Sequence, residues 1–532
     1  MTLVLAHLQD DSEDCLSLNI WAPANASAGS RLPVRVFIHG GGFQQGTGSS
    51  GKFNGCRGAA DGNVVMVTIN YRLGILGFLA LPELKDSTFN GTVGNWGLLD
   101  QQLALKWVKD NIAAFGGDPN KVVLYGQSAG AYSVLLHMVA TGSKGLFSSA
   151  VAFSGSTDAM AVDFLPDAYA KGATTAGNLN CSAETAMSRG FSGVADCLRN
   201  GVDAETLVAV SYATFTTTVT YHVPCVDGVM FPKHPLVLTY EGQSAHVPIV
   251  LALEALDGVM EILSDVQGGG EPQSGKDLVE LLRKFVSIPA RFAKQVADQY
   301  DAGQFGGSWT APAVLALTDA GYHCPALRDA INFADQGIPT RMMRIQMARP
   351  TYGCSLSLVF GGGLNPEPSV VSTYDAFHGY DVPFTFLLPY GGSELPCNFT
   401  DLERQQASFF SGMVSAVAAT GAPLPARSAS LTAPQLLNLT WPAWTVESQP
   451  MLDFNASSPA LVEGIIELFP KCMIWNDILQ FNIEFNTQRT DDLQSPPPPS
   501  VKPKTRAPPP ARRSTRPPLW RRYGNMPAPA RG

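Results

Sequence analysis

A serine between two glycines stands at the end of a short apolar run, in a pattern that could supply a nucleophile. In "KVVLYGQSAGAY", residues 121–132, Ser128 lies between Gly126 and Gly130, and small residues that tolerate a helix follow. This spacing is typical of a sharp strand-to-helix turn, where the serine takes a strained backbone conformation and bulky neighbours would collide. Ordinary tight turns carry the same three residues, so the motif needs partners before it indicates chemistry.

The partners of such a serine are an imidazole that accepts its proton and a carboxylate that orients the imidazole. After a turn of this kind they follow in the order serine, acid, histidine. Six of the eight histidines precede the strand expected to carry the acid, which leaves His323 and His378. His323 lies ahead of a predicted helix and of the strand predicted at 340–348, whereas His378, in "DAFHGYDVPF", follows that strand. We therefore predict that His378 is the base.

Two carboxylates compete for the role of the acid. The strand predicted at 247–254 ends in "EALDG", which offers Glu254 and Asp257. Asp257 directly precedes Gly258 at the expected turn, whereas Glu254 is still inside the apolar run. We predict that Asp257 is the acid, and Glu254 remains the alternative.

A glycine run, "HGGGF" at 39–43, follows another predicted strand. Attack on an ester carbonyl creates an oxyanion, and residues without side chains let backbone N–H groups approach it closely. We predict that Gly41 and Gly42 donate to this oxyanion and that Ala129 is the third donor. Three glycines can also form a merely flexible loop, but their pairing with "GQSAG" favours an oxyanion hole.

The elements that must position these residues alternate between strands and helices. Apolar spacing near 3.6 residues predicts a helix from Leu98 to Phe115, and a second helix, Ala129 to Ala140, continues directly from the serine. This alternation predicts a doubly wound, mostly parallel sheet with helices on both faces and a site beyond the carboxyl ends of the strands. The strands are predicted at 32–39, 64–71, 121–126, 150–155, 247–254 and 340–348.

The stretch "GNWGLLDQQLALKWVKDNIAAFGGDPNKVVLYGQSAG" at 94–130 closely resembles the type-B carboxylesterase and lipase family, the cholinesterase-like α/β-hydrolases. "EDCLSLNIWAP" at 13–23 resembles the second signature of that family, and "INYRLGILGF", "FHGYDVPF", "WPAW" and "KCMIWNDIL" extend the likeness over nearly all of residues 10–485. The resemblance implies an α/β-hydrolase domain over residues 1–487. It also implies the same triad and oxyanion hole as the residues themselves: Ser128, Asp257 and His378, with Gly41, Gly42 and Ala129.

Two departures from the family pattern leave the triad untouched. Gln127 stands where the family usually has glutamate, which removes a negative charge beside the serine and disfavours a cationic substrate such as choline. Ser17 replaces the customary tyrosine or threonine of the second signature. The family acid is usually glutamate, and an aspartate such as Asp257 occurs in some lipase-like members.

The chain has nine cysteines, and the resemblance implies two disulfides among them, Cys181 with Cys197 and Cys324 with Cys472. The other cysteines that follow Cys15 comprise one further candidate pair, Cys354 and Cys397, and two residues without an obvious partner, Cys56 and Cys225.

Composition is that of a globular, exported protein. Of 532 residues 45% are hydrophobic, and a membrane-spanning helix is not expected because the apolar runs are short. Residues before 495 carry 27 Lys/Arg and 45 Asp/Glu, a balance of −18, and so acidic a body disfavours nucleic acid as a partner. Nine cysteines and six Asn-x-Ser/Thr sequons favour a secreted or lumenal protein. The sequons begin at Asn25, Asn90, Asn180, Asn398, Asn438 and Asn455.

Residues 488–532 differ in composition from the rest, being rich in proline and basic residues and poor in apolar ones. This composition predicts a disordered tail that is partly polyproline II. Residues 495–532 carry nine Lys/Arg and no acidic residue. We expect an inert tail, and contact with an acidic polysaccharide is the alternative.

The start of the chain is short for the family. The resemblance implies a long segment ahead of "EDCLSLN", with a signal peptide, the first strands of the sheet and a cysteine that pairs with Cys15. Only fourteen residues precede Cys15, and their apolar patch is too short for a signal peptide. We therefore expect an N-terminally truncated chain that lacks the first strands.

These features predict a serine hydrolase that cleaves small-molecule or lipid carboxylic esters through an acyl-enzyme intermediate on Ser128, without a metal or cofactor. One alternative is a lipase acting on long-chain glycerides, which depends on a pocket and a lid that the sequence does not show. Another is a non-catalytic adhesion or scaffold protein on the same fold, which the complete triad disfavours.

Overall fold

The computed structural model describes residues 12–86, 88, 90–157, 162–217, 221–266, 270–347, 375–388, 398–423, 440–455, 459–462 and 469–494. Within these residues a mixed sheet lies at the centre and helices cover both of its faces. This architecture is an α/β-hydrolase fold and confirms the predicted doubly wound sheet.

The described residues form eleven strands: β1 (Leu18–Trp21), β2 (Leu32–Ile38), β3 (Val65–Ile69), β4 (Gly117–Gln127), β5 (Ser149–Phe153), β6 (Asp163–Phe164), β7 (Cys225–Val226), β8 (Ile249–Glu254), β9 (Thr340–Ile345), β10 (Met451–Phe454) and β11 (Ala460–Val462). Nine of them make the large sheet in the order β1-β3-β2-β4-β5-β8-β9-β10-β11, and β6 pairs with β7 separately. Strands from β3 to β10 in this order run parallel, whereas β1 and β11 pair antiparallel with their neighbours.

The six predicted strands are β2, β3, β4, β5, β8 and β9, with bounds that shift by a few residues. The largest shift is in β4, which begins at Gly117 rather than at residue 121. Sequence analysis did not find β1, β10 and β11, which have only three or four residues each and so are too short to display a periodic apolar pattern.

The helix predicted from Leu98 to Phe115 is an α-helix, Trp96–Asn111, followed by a tighter 3-10 turn, Ile112–Phe115. Gly116 ends this turn at a φ of 87°, a conformation that glycine adopts without strain. The helix after the serine is Ala129–Val139. A final helix, Phe469–Gln494, corrects one boundary, because it includes residues 488–494, which sequence analysis assigned to the disordered tail.

The other α-helices of the described residues are Cys56–Gly62, Gly74–Phe78, Leu165–Asn178, Ala183–Ser188, Val194–Asn200, Ala204–Thr217, Pro235–Tyr240, Val259–Asp265, Gly275–Leu282, Ala293–Gln299, Thr310–Thr318, Cys324–Asp335, Val382–Thr385 and Asp401–Thr420. A wider π-helical segment, Asp319–His323, joins two of them. Short 3-10 turns lie at Gly51–Phe53, Pro82–Leu84, Ala290–Phe292 and Ala302–Phe305.

The core lies on both sides of the central strands. Every residue of Ala129–Val139 is buried, because this helix packs against β4 and β5. The long helix Asp401–Thr420 packs against β2, β4 and β5, and a reciprocal pair of hydrogen bonds between Thr400 and Glu403 fixes its first turn. The strands that end at the candidate site are therefore held rigidly from above and below.

Two disulfides are present among the described residues, Cys181–Cys197 and Cys324–Cys472, the pairs that the family resemblance implied. Cys15, Cys56 and Cys225 are thiols, while the candidate pair Cys354 and Cys397 lies outside the described residues.

Sequon asparagines lie mostly at the surface. Asn25, Asn90, Asn180 and Asn398 are exposed, Asn455 is half-buried, and Asn438 lies outside the described residues. No helix in the described part of the chain combines the length and the apolar character that crossing a membrane requires.

Candidate active site

Ser128 occupies a sharp turn between β4 and the helix Ala129–Val139. Its φ of 56° and ψ of −129° are rare for a residue with a side chain, so the backbone is strained here. The serine belongs neither to the strand nor to the helix. The turn is tied to the sheet by the Ser128 N–H, which donates to the carbonyl of Phe153 on β5 at 3.0 Å.

The glycines beside Ser128 are needed for space. A Cβ on Gly130 would lie 2.0 Å from the carbonyl oxygen of Ile38, and one on Gly126 would lie 2.5 Å from the backbone of Gly130. Neither distance is possible for real atoms, so the strand and the helix can approach each other only if both positions lack a side chain.

The glycine run needs left-handed backbone as well as space. Gly41, Gly42 and Phe43 have φ values of 119°, 63° and 62°, which turn the chain sharply after β2. A Cβ on Gly40 would lie 2.9 Å from the Cβ of Ser128, so this loop lies directly against the serine. Sequence analysis did not single out Gly40, because its role depends on a contact across the sheet.

The predicted oxyanion donors lie in suitable elements. Ala129 begins the helix that follows the serine, where the first N–H groups have no partner within the helix and the helix dipole favours negative charge. Gly41 and Gly42 lie in the loop that contacts Ser128. The loop of the glycine run and the start of this helix thus both lie next to Ser128.

His378 and Asp257 meet in a buried hydrogen bond. Nδ1 of His378 lies 2.9 Å from Oδ1 of Asp257, whose side chain is fully buried, while 13% of the histidine side chain is exposed. The other carboxylate oxygen of Asp257 accepts the N–H of Glu254 at 3.1 Å. Both loops are joined by a parallel bridge between Leu256 and Phe377, which holds the acid and the histidine at a fixed separation.

The remaining imidazole nitrogen faces Gln127. Nε2 of His378 lies 3.2 Å from the amide nitrogen of Gln127, which can only donate. Nε2 therefore accepts, and the proton of the neutral ring is on Nδ1, from where it is donated to Asp257. The nitrogen with the free electron pair lies beside the turn that carries Ser128, and among the described residues its hydrogen-bond partner is this amide.

The pKa of His378 reflects opposing influences. Burial lowers it, but the hydrogen bond to Asp257 and the charges of Glu261, Asp257 and Asp381 raise it, and the net effect is a pKa above the ordinary histidine value. The surroundings therefore stabilise the imidazolium form, the form that a general base adopts after it takes a proton.

Glu254, the alternative acid, has another partner. It is the last residue of β8, its side chain is fully buried, and its Oε1 accepts the N–H of Asp381 at 3.1 Å. Burial and the neighbouring Asp381 carboxyl raise the pKa of Glu254 well above its usual range, and burial raises the pKa of Asp381 to about 7. Glu254 thus lies behind the acid loop and pairs with a second carboxyl group.

His323, the histidine not predicted as the base, forms a hydrogen bond with the end of the strand that precedes Asp257. Its Nε2–H donates to the backbone carbonyl of Glu254 at 2.9 Å. The neighbouring Tyr322 packs against the ring of His378, with ring centroids 5.0 Å apart. Sequence analysis missed both Tyr322 and Glu261, since neither belongs to a local motif.

The fold and this constellation define a class, the α/β-hydrolases with a serine at the turn after a central strand. Residues 3–464 match the Carboxylesterase family, and the chain belongs to that family. It is 34% identical over 358 residues to carboxylesterase 1F of Mus musculus, covering 63% of this chain and 60% of that protein. It is 31% identical over 408 residues to cocaine esterase of Homo sapiens, covering 74% of this chain and 65% of that protein.

A third relative does not have the name of an esterase. Neuroligin-3 of Mus musculus is 28% identical over 435 residues, covering 75% of this chain and 49% of that protein. The chain therefore spans less than two thirds of the length of each of these three relatives.

Proposed function

We propose that the protein hydrolyses carboxylic esters with Ser128 as nucleophile, His378 as general base and Asp257 as the acid that orients it. The observation that carries the proposal is the buried His378–Asp257 hydrogen bond beside a serine in strained, left-handed backbone. Membership in the carboxylesterase family and similarity to a carboxylesterase and a cocaine esterase support the same chemistry.

The reaction follows from the tautomer of His378. As a substrate enters, the Gln127 amide moves away from Nε2 of His378. Ser128 then donates its hydroxyl proton to that nitrogen while its oxygen attacks the ester carbonyl. The tetrahedral oxyanion accepts N–H groups from Gly41, Gly42 and Ala129. His378 then gives the proton to the departing alcohol, which leaves an acyl group on Ser128, and water attacks that acyl group by the same route.

The contact between serine and base is expected to tighten only in the complex. In enzymes free of substrate, catalytic hydrogen bonds are often long or poorly aligned. Gln127 keeps Nε2 oriented until then, because its amide occupies the position that the serine proton will take. Since Gln127 is neutral, the site favours uncharged small-molecule or lipid esters over cationic ones.

We further propose that the protein works in an oxidising compartment, secreted or lumenal. Support comes from two disulfides and from exposed asparagines at four of the sequons. Residues 495–532 lie outside the described residues, and contact of this basic segment with an acidic polysaccharide stays a prediction.

Replacing Ser128 by alanine tests the assignment directly. We expect Ser128→Ala to abolish hydrolysis of a small chromogenic ester while the circular dichroism spectrum is unchanged, because the substitution removes only a hydroxyl. Ser188→Ala, at an exposed position on another helix, is the matched control and should retain full turnover. Turnover by Ser128→Ala equal to that of the control would overturn the proposal.

The second candidate is a non-catalytic function on the same fold, which the similarity to neuroligin-3 allows. A fluorophosphonate probe distinguishes the two, since it reacts only with an activated serine. We expect a single adduct on Ser128. A folded protein that stays unlabelled and hydrolyses no ester would favour the adhesion or scaffold function.

Within catalysis, a series of p-nitrophenyl esters with increasing acyl length separates a general esterase from a lipase. Turnover that rises sharply above the solubility limit of long-chain esters would favour the lipase.

A further inference from the structure

A second acidic residue, on the helix Val259–Asp265, is linked to the catalytic histidine through a tyrosine. Glu261 lies on this helix one turn beyond Asp257, and its Oε1 accepts the hydroxyl of Tyr322 at 2.8 Å. Its other oxygen, Oε2, is buried and has no hydrogen-bond partner among the described residues. An unpaired carboxylate oxygen at such a place is costly to retain unless an electrostatic partner compensates for it.

Tyr322 connects this carboxylate to His378. Only 3% of Tyr322 is exposed, and its ring lies against the imidazole with centroids 5.0 Å apart and planes inclined by 47°. Aromatic rings at this distance attract each other and restrict rotation. The hydroxyl end of the tyrosine is fixed by Glu261, so the ring has little freedom to move away from His378.

The backbone around Tyr322 has an unusual conformation that supports this arrangement. Tyr322 lies in the π-helical segment Asp319–His323, a wider turn of a kind that is frequent at functional sites. The hydroxyl of Tyr132, on the helix that follows the serine, donates to the carbonyl of Gly321 at 3.0 Å. On the other side of Tyr322, His323 donates to the carbonyl of Glu254. The segment is therefore anchored to both the nucleophile helix and the acid strand.

We propose that Glu261 and Tyr322 are positioning residues that hold His378 and stabilise its imidazolium form during ester hydrolysis. Asp257 orients the ring through Nδ1, whereas Tyr322 holds it by contact between the rings and Glu261 supplies a second negative charge. This role rests on the proposed function, since it concerns the same base. Neither residue touches the substrate in this scheme, so both act through the histidine.

The charges around His378 determine what the pair contributes. The negative charges of Glu261, Asp257 and Asp381 act on the imidazole of His378, and each raises its pKa. Burial raises the pKa of Glu261 above its ordinary value, although the imidazolium of His378 and the hydrogen bond from Tyr322 lower it in part. The carboxylate and the imidazolium therefore favour each other's charged forms, and loss of one carboxylate must shift the titration of the histidine downward.

Replacing Glu261 by glutamine tests the proposal through the direction in which the pH profile shifts. We expect Glu261→Gln to move the acid limb of the pH profile of kcat/KM to lower pH by about half to one unit, because the imidazolium loses a stabilising charge. At the plateau, kcat should fall by up to roughly tenfold, the equivalent of one pKa unit, with KM little changed. Tyr322→Phe, which keeps the ring and removes the hydroxyl, should shift the limb in the same direction by less.

The matched control is Glu184→Gln, which removes the same charge from an exposed position on the helix Ala183–Ser188. Its acid limb should coincide with that of the wild type. A merely structural role for Glu261 would lower activity at every pH and leave the limb in place. An acid limb of Glu261→Gln that coincides with the control, or moves to higher pH, would overturn the proposal. If Glu261→Gln does not fold, an unshifted limb in folded Tyr322→Phe would have the same consequence.

A second readout is independent of turnover. Nitrogen-15 labelling of histidine allows the imidazole of His378 to be titrated by NMR, with His378→Gln identifying its signal. We expect the midpoint to lie at lower pH in Glu261→Gln than in the wild type. If no ester is hydrolysed, the proposed function fails, and this titration still decides whether Glu261 acts on His378. If esters are hydrolysed and the midpoint is unchanged, only the inference about Glu261 fails.

Discussion

Asp257 and Glu254 are two carboxyl groups three residues apart, both fully buried at the end of the same strand, and they have opposite surroundings. Asp257 faces an imidazole at 2.9 Å and also accepts a backbone N–H. Glu254 faces another carboxyl group, that of Asp381, and accepts its backbone N–H. The partner of Asp257 can carry a positive charge, whereas the partner of Glu254 can only add a negative charge.

Burial alone therefore does not assign a role to a carboxyl group. Burial raises the pKa of both Glu254 and Asp381, and the charge of Asp381 raises that of Glu254 further. Asp257 instead lies 2.9 Å from an imidazole that can carry the compensating positive charge, as the proposed orienting acid requires. Substitutions that change one partner at a time test this distinction.

Asp257→Asn should have the largest effect. The amide would favour the wrong tautomer of His378, and kcat is expected to fall by about four orders of magnitude. Turnover of a chromogenic ester measures the loss. Glu254→Gln is the matched control from the same strand end, and we expect its kcat/KM to stay within a few fold of the wild type. Should Glu254→Gln be the more damaging of the two, the roles of the two carboxyl groups would be reversed.

Gln127→Glu adds a carboxyl group on the other side of the imidazole and should have an intermediate effect. A negative charge beside Nε2 raises the pKa of His378 further, so the acid limb of kcat/KM moves to higher pH by about one unit. Activity near pH 6 should then fall by roughly tenfold, while activity above pH 8 changes less. Gln127→Met, similar in size and uncharged, separates the effect of charge from that of shape. A limb that stays in place in both variants would mean that residue 127 does not act on the base.

Glu254→Gln should have the smallest effect, and it concerns stability. Both Glu254 and Asp381 have folded-state pKa values above their unfolded values. Such groups stabilise the fold fully at low pH, and this stabilisation is lost as pH rises from the ordinary carboxyl range near 4 through the raised values, about 7 for Asp381. The uncharged amide avoids the loss and can also donate to Asp381.

The measurement is a thermal unfolding series at about pH 5 and pH 8. We expect the Tm of Glu254→Gln, relative to the wild type, to rise by roughly 2 °C or more between these conditions. Glu184→Gln, from the exposed helix, should show a constant difference. A relative Tm that falls with pH would show that the Glu254 carboxylate is ionised and paired in the folded protein.

The sequence was sufficient wherever a short motif contains its own physical reason. Gly126 and Gly130 are adjacent to Ser128 in the chain and are required by the same turn, so the pattern exposes them. For the base and the acid, the order of the triad residues along the fold predicts His378, and the position before a glycine predicts Asp257 rather than Glu254. The structure brings these two side chains together, and their catalytic roles stay predictions. The strands of five or more residues in the large sheet are visible for a similar reason, since most of their residues are buried in a parallel sheet.

The sequence was insufficient wherever a residue acts through a partner distant in the chain. In the sequence, nothing distinguishes Glu261 from other acidic residues on helices. Its hydrogen bond to Tyr322 depends on the π-helical segment, which no local pattern predicts. The contact between Gln127 and His378 joins residues 251 positions apart. The paired carboxyl groups of Glu254 and Asp381 depend in the same way on two loops that meet only in the folded chain.

The disulfide between Cys324 and Cys472 gives the molecule tolerance to backbone cleavage. These cysteines are 148 positions apart, and the stretch between them contains His378 and the long helix Asp401–Thr420. A single cut by a protease anywhere in that stretch leaves two polypeptides that are still joined covalently. In a denaturing gel, such a nicked molecule migrates as one species without reductant and as two species with it. The two polypeptides stay tethered, so the residues around His378 are not separated by the cut.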